Sequence, residues 1–268
     1  MTITSITGRC SDEYAFRRFS SEESRNADMA ANLFRSSLEL PTEDRHFWDP
    51  GYSRGHLDES TLWQLAAGVH KPRCFMQAET IRIPAMYLGL LVDCSGSMSG
   101  HYISRARTLA LAFAKALDGH PKCKVSVAGH TERQGKVLLY VIKRSDQELN
   151  PEAFNSLTAQ SGNLDAYALQ AYARTIAKDM ADFDTGLIGL ICDGEPCHSK
   201  QAMQEAIVQV RKDHRLHTVG IGIGGSMNDN ICTKLYGEGN YIIANDPMQC
   251  LPELATKLNR FIAQVAPV

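Results

Sequence analysis

From residue 86 onward, short apolar runs alternate with longer segments whose apolar residues recur every three or four positions. "MYLGLLVDC" (86–94) is apolar on both faces, which predicts a central strand of a covered sheet. "SRARTLALAFAKALDG" (104–119) predicts a helix that is apolar on nearly every side and therefore buried, ending at Gly119. "KVSVAGH" (124–130) and "KVLLYVIKR" (136–144) predict two further strands. The turn "ERQG" between them is short enough to pair them antiparallel, which puts one of them at the sheet edge.

The alternation continues with a helix over "LDAYALQAYARTIAKDM" (164–180) and a fully apolar strand, "GLIGLIC" (186–192). In "SKQAMQEAIVQVRKDH" (199–214), Ala202, Met203, Ala206, Ile207 and Val210 form one helical stripe. Strands over "LHTVGIGIG" (216–224) and "NYIIAN" (240–245) precede a last helix, "LPELATKLNRFIAQV" (251–265), whose first turn suits Pro252. This order predicts an α/β fold of the Rossmann-like kind: an open, mostly parallel sheet with helices on both faces.

The first 80 residues read differently. "SEESRNADMAANLFRSSLEL" (21–40) and "LDESTLWQLAAG" (57–68) predict helices joined by the turn-rich "PTEDRHFWDPGYSRG". The expectation is a helical N-terminal arm, residues 1–80, packed on a sheet domain of residues 81–268.

Composition narrows the function classes. Of 268 residues, 44% are hydrophobic and 22% charged, as in ordinary globular proteins. Lys plus Arg number 28 and Asp plus Glu 30, a net charge of -2, which argues against binding nucleic acid by neutralising phosphates. No stretch approaches the roughly 20 apolar residues of a membrane span. "MTITSITGRCSDEYAFRRFS" lacks a basic start followed by an apolar core, so no secretory signal is expected. The eight cysteines form no CxxC pair, and several sit in strand-like runs as small hydrophobes. Together these features predict a cytoplasmic protein.

Candidate chemistry gathers at the strand ends. In "YLGLLVDCSGSMSG" (87–100), a buried strand runs into Asp93, Ser95 and Ser97, which share a face and converge if the chain curls at Gly96 and Gly100. A second strand of the same kind ends at Asp193 in "GLIGLICDGEP". In an open α/β sheet, ligands bind beyond the carboxyl ends of the strands. If these two strands are neighbours, Asp93 and Asp193 repel unless a cation lies between them. The loop "QSGNLD" adds Asn163 and Asp165. Asp165 ranks behind Asn163, since the helix dipole alone favours an acid at a helix start. Hydroxyls, carboxylates and an amide suit Mg²⁺ or Mn²⁺ with waters completing an octahedron, and so few protein ligands leave a position open for a partner's carboxylate.

"DCSGS" matches the DxSxS motif of von Willebrand factor A (VWA) domains, and "ICDGEP" is similar to their later Asp-Gly strand end. The resemblance implies a metal-ion-dependent adhesion site, with Asn163 where many members carry a metal-ligating Thr. "GHLDESTLWQLAAG", "VSVAGHTE", "GNLDAYAL", "ICDGEP" and "VGIGIG", in that order over residues 55 to 268, also resemble the VWA-bearing subunit of aerobic cobaltochelatase. They resemble as well the VWA proteins that work with MoxR-type AAA+ ATPases. That resemblance implies a non-catalytic interaction module with an AAA+ partner, or a subunit of a cobalt or magnesium chelatase. No GxxxxGK[ST] loop occurs, so ATP hydrolysis would fall to the partner.

Other features have plainer readings. "GIGIGG" (220–225) satisfies GxGxxG, with Asp246 some way on, but the apolar alternation runs through the glycines, which predicts close packing of a strand. Cys197, His198, His101 and His130 follow strand ends at spacings that match no compact metal motif, and are expected to line the rim. "CSGSM" lacks the G-x-S-x-G elbow of a nucleophilic serine.

Overall fold

A computed structural model describes residues 4–6, 21–38, 43–81, 84–194, 199–224, 227–243 and 247–265. In chain order the elements are β1 (Thr4–Ile6), α1 (Ser21–Ser37), β2 (Arg45–Tyr52), β3 (His56–Leu57), α2 (Trp63–Ala66), β4 (Phe75–Ile81) and β5 (Met86–Asp93). There follow α3 (His101–Leu117), β6 (Cys123–Arg133), β7 (Lys136–Lys143), α4 (Asp165–Ala177), β8 (Thr185–Cys192) and α5 (Lys200–His214). The series closes with β9 (Leu216–Gly222), α6 (Asp229–Tyr236), β10 (Tyr241–Ile243) and α7 (Pro247–Val265).

Seven strands form the main sheet in the order β1-β7-β6-β5-β8-β9-β10. The fold is Rossmann-like, with a mixed, mostly parallel sheet and helices on both sides. β5 and β8 are buried at every position and pair in parallel, Met86 opposite Thr185 through Val92 opposite Ile191. β6 and β7 pair antiparallel, as the short turn predicts. Gln134 (φ 55°) and Gly135 (φ 73°) both adopt the left-handed conformation that such a tight hairpin requires. Neither strand of this pair is the edge. β1 pairs with β7 in parallel, Thr4 opposite Leu138, a placement that three residues without a strong hydrophobic pattern did not announce.

Period-two alternation sorts the strand residues into two cores. Met86, Leu88, Leu90 and Val92 of β5 face α1, α3 and α7. Tyr87 and Leu91 face α4, α5 and α6, as do Ala128 of β6 and Ile188, Leu190 and Cys192 of β8. Asp93, next in the second series, therefore emerges on the α4 side.

α1 of the arm shares the first core. Ala27, Ala30, Ala31 and Phe34 are buried, and the Phe34 and Phe113 rings lie 5.6 Å apart. Arg35 donates to the carbonyls of Lys115 (2.9 Å) and Ala116 (3.3 Å), and Asn259 donates to the Ser37 carbonyl at 3.1 Å.

The rest of the arm departs from the expected helices. The stretch read as turn-rich contains β2, which pairs antiparallel with β4, and β3 joins β4's other side to give a three-stranded sheet. The helix expected over 57–68 is confined to a 3₁₀ turn at Glu59–Thr61, capped by Asp58, and the short α2. Cross-strand pairing, invisible to local periodicity, builds this sheet and takes Leu57, the first residue of the expected helix, into β3.

α6 also goes unpredicted, and its start is capped by the Asn228 side chain, which accepts from Ile231 N at 3.1 Å. α7 begins at Pro247, so Pro252 lies inside it and not in its first turn. The ends of the "NYIIAN" run at 244 and 245, together with Gly225, Asp246, Cys197 and His198, lie outside the described residues.

Candidate metal centre

The pairing of β5 with β8 brings Asp93, the last residue of one strand, beside Asp193, the residue after the other. The chain past β5 curls in a 3₁₀ turn over Gly96–Met98. Gly96 N donates to the Ser161 carbonyl at 2.6 Å and Gln160 N to the Cys94 carbonyl at 2.8 Å, which zips the 160–163 loop onto this curl.

A continuous line of close oxygen contacts results, two of them hydrogen bonds from serine hydroxyls to carboxylates. Asp93 Oδ1 accepts from Ser95 N (2.8 Å), and Asp93 Oδ2 accepts from Ser95 Oγ (2.9 Å) and Asn163 Nδ2 (3.2 Å). Ser95 Oγ and Ser97 Oγ are 3.0 Å apart, and Ser97 Oγ donates to Asp193 Oδ1 at 2.9 Å. Asp93, Ser95, Asn163 and Asp193 are buried, while Ser97 is exposed at the mouth. The structure thus brings together all five of the strand-end and loop residues singled out from the sequence. Asn163 presents its amide nitrogen to Asp93, so ligation through its Oδ1 requires the amide to turn.

Asp165 joins them at greater depth. It is the first residue of α4, 4% exposed. His130 lies in register with Asp93 on the neighbouring β6 and is wholly buried. It belongs to a strand interior, not to the rim, because β6 continues to Arg133 in its pairing with β7. His130 Nε2 is 3.3 Å from Asp165 Oδ1, but the two are misaligned, and neither atom has a hydrogen-bond partner among the described residues. One donor atom each from Asp93, His130 and Asp165 lie within 4.8 Å of one another. His101, by contrast, is exposed at the start of α3, its ring centroid 4.1 Å from that of Tyr102.

Electrostatics follow from this crowding. Burial, then the neighbouring Asp93 and Asp193, holds the Asp165 carboxyl well above the usual carboxylate range. Burial also raises Asp193, with Asp93 adding to the shift and the Ser97 hydrogen bond opposing it. Burial lowers His130 and leaves its imidazole neutral, although Asp93 pulls the other way. Asp93 and Asp165 crowd one neutral ring, and Asp193 lies near enough to act on Asp165, so a cation would favour the ionised form of each carboxyl. The hard oxygens of Asp93, Ser95, Ser97 and Asp193 fit Mg²⁺ or Mn²⁺, with Asn163 as a fifth donor once turned.

The "GIGIG" run is sheet, as expected: β9 passes through Gly220 and Gly222. A Cβ at Gly220 would lie 2.2 Å from the Tyr236 ring, so the glycine lets α6 pack against the strand. The six described cysteines are free and buried. Among the described residues, no helix is long and apolar enough to cross a membrane.

The profile of the von Willebrand factor type A domain matches residues 88–257, which contain every residue of the site. No curated protein matches the chain. Among solved structures, the chain is similar to manganese-loaded Plasmodium vivax TRAP protein, at 16% identity and a TM-score of 0.50, over 84% of this chain and 79% of that one. It is similar to the vWF domain of the type V pili tip protein Mfa5 from Porphyromonas gingivalis, at 10% identity and a TM-score of 0.50, over 68% and 97% of the two chains. The pilus adhesin SpaC from Lactobacillus rhamnosus GG is similar at 14% identity and a TM-score of 0.52, over 68% of this chain and 31% of that one. At these identities the likeness is one of fold. The match over residues 88–257 covers more than half of the sequence, and the chain belongs to the von Willebrand factor type A domain family.

Proposed function

We propose that the chain is a divalent-cation-dependent protein-interaction module whose partner is an AAA+ ATPase of the MoxR or cobaltochelatase type. The observation that carries the metal-dependent part is the linked set Asp93, Ser95, Ser97 and Asp193 at the carboxyl ends of two adjacent parallel strands. A cation held there, Mg²⁺ or Mn²⁺, supplies an electrophilic coordination position that an acidic side chain can occupy.

The protein's residues do the rest. Asp93, fixed by three hydrogen bonds, orients the Ser95 hydroxyl, and Ser95 in turn positions Ser97 at the open mouth. Asp193 supplies the opposing charge from the second strand. The choice of an AAA+ partner is supported by the motif order over residues 55 to 268 and by the absence of a phosphate-cradling GxxxxGK[ST] loop in this sequence. The same motif order supports a second reading, a subunit of an ATP-dependent chelatase that inserts cobalt or magnesium into a tetrapyrrole.

Affinity capture from native lysate in Mg²⁺ and in EDTA, with captured proteins identified by mass spectrometry, tests the reading. An AAA+ ATPase retained by wild type only with Mg²⁺, and lost with Ser97→Ala, supports it. Capture that ignores Mg²⁺ and the substitution would sink it. Co-capture of a tetrapyrrole-binding subunit favours the chelatase.

A further inference from the structure

The oxygen-only set leaves unused a second group of donors beneath it. Both ring nitrogens of His130 are buried without a hydrogen-bond partner among the described residues, and so is Asp165 Oδ1. Buried polar atoms left unsatisfied are costly and uncommon, and here two of them, His130 Nε2 and Asp165 Oδ1, face each other. The 3.3 Å between His130 Nε2 and Asp165 Oδ1 is a poor hydrogen bond. It is, however, the spacing of two ligands that each stand about 2.0–2.2 Å from one ion. Asp93 completes the triangle, its donor atom within 4.8 Å of the other two.

Mg²⁺ seldom takes a nitrogen ligand, whereas imidazole suits zinc and its first-row neighbours. We propose that Asp93, His130 and Asp165 form an inner position for a divalent transition-metal ion of the zinc or cobalt class, beside the hydroxyl-lined outer position that takes a hard cation. The inner position rests on the reading of the strand ends as a cation centre, because Asp93 serves both. Being enclosed, it holds its ion as part of the site's architecture, while the outer position at Ser97 stays open to a partner.

Metal-free full-length protein is titrated with Co²⁺, followed by visible absorption, and Zn²⁺ is then used to displace it. The expected result is one tight equivalent with the intense bands of a low-coordinate nitrogen–oxygen site, displaced by one equivalent of Zn²⁺. His130→Gln should weaken Co²⁺ binding at least ~10-fold, the lower end of what even an indirect supporter of a metal ligand contributes. Its Mg²⁺-dependent rise in melting temperature should remain. Asp165→Asn gives a second variant should the first fail to fold. X-ray absorption of Zn²⁺-loaded wild type needs no variant, and one imidazole among oxygen ligands is expected there. An oxygen-only shell, or Co²⁺ bands unchanged in both variants, overturns the inner position while the outer centre stands. If no divalent ion of either class shifts the melting temperature or gives bands, both readings fall together.

Discussion

Ser97 and Asp193, 96 residues apart in sequence, meet in a 2.9 Å hydrogen bond that closes the link between the ends of β5 and β8. Through Ser95 that link reaches Asp93, so two buried carboxylates that would repel are tied by a pair of hydroxyls. Two hydroxyls cannot neutralise the charge, and this imbalance makes the site responsive to a cation.

Asp165 sets a pH dependence for the metal-free protein. Its folded-state pKa is raised, so above about pH 4 the folded state keeps a proton that the unfolded chain has released. Stability therefore falls as pH rises from there toward the folded pKa. Asp165→Asn removes this term. Its melting temperature relative to wild type should rise as pH increases above about 4 toward the raised folded-state pKa, by an amount equivalent to about 1.4 kcal/mol per unit of the shift traversed. Comparing the two proteins cancels the other titrating groups to first order. A difference that is flat in pH would show that Asp165 is already ionised.

Gly220→Ala tests the reading of "GIGIGG" as strand packing. The added methyl would sit 2.2 Å from the Tyr236 ring, which is buried against Cys192 and cannot swing clear. Overpacking of this kind costs about 1–3 kcal/mol. Urea denaturation should show the midpoint falling with little change in slope, and an unaltered midpoint would refute the packing.

Phe34→Ala tests whether α1 is part of the fold's core. Phe34 is fully buried against Phe113, and its truncation should cost about 3–5 kcal/mol. Loss of that size in the cooperative unfolding of the whole chain is expected. A variant in which only a minor, separate transition shifts would mean that α1 is an appendage.

What the sequence disclosed depended on whether the signal was local. Unbroken apolar runs marked β5 and β8 as central strands, and "DCSGS" and "ICDG" at their ends followed from the rule that sites lie at carboxyl ends of parallel strands. α3 read as buried because nearly all its faces are apolar, and it is indeed enclosed by the sheet, α1 and α7. The misses were relationships between distant segments. β1 and the β2–β4–β3 sheet exist through pairing, which single-segment periodicity does not encode. His130 closes the "KVSVAGH" run, and alternation puts it on the face of Ser126 and Ala128. Only the register of β6 against β5, His130 opposite Asp93, turns it from a rim residue into a neighbour of the site.

The central claim, a cation centre at the ends of β5 and β8, is tested most directly by paired melting curves with and without excess Mg²⁺ or Mn²⁺, for wild type, Ser97→Ala and Asp93→Asn. At a hundredfold excess over Kd the wild type should gain about 2.7 kcal/mol, or roughly 5–10 °C for a chain of this size. Ser97→Ala removes an exposed hydroxyl and should cost the metal-free fold no more than about 1 kcal/mol. Both variants should lose most of the metal-dependent gain. Variants that keep the full shift, or a wild type that shows none with either ion, would contradict the account.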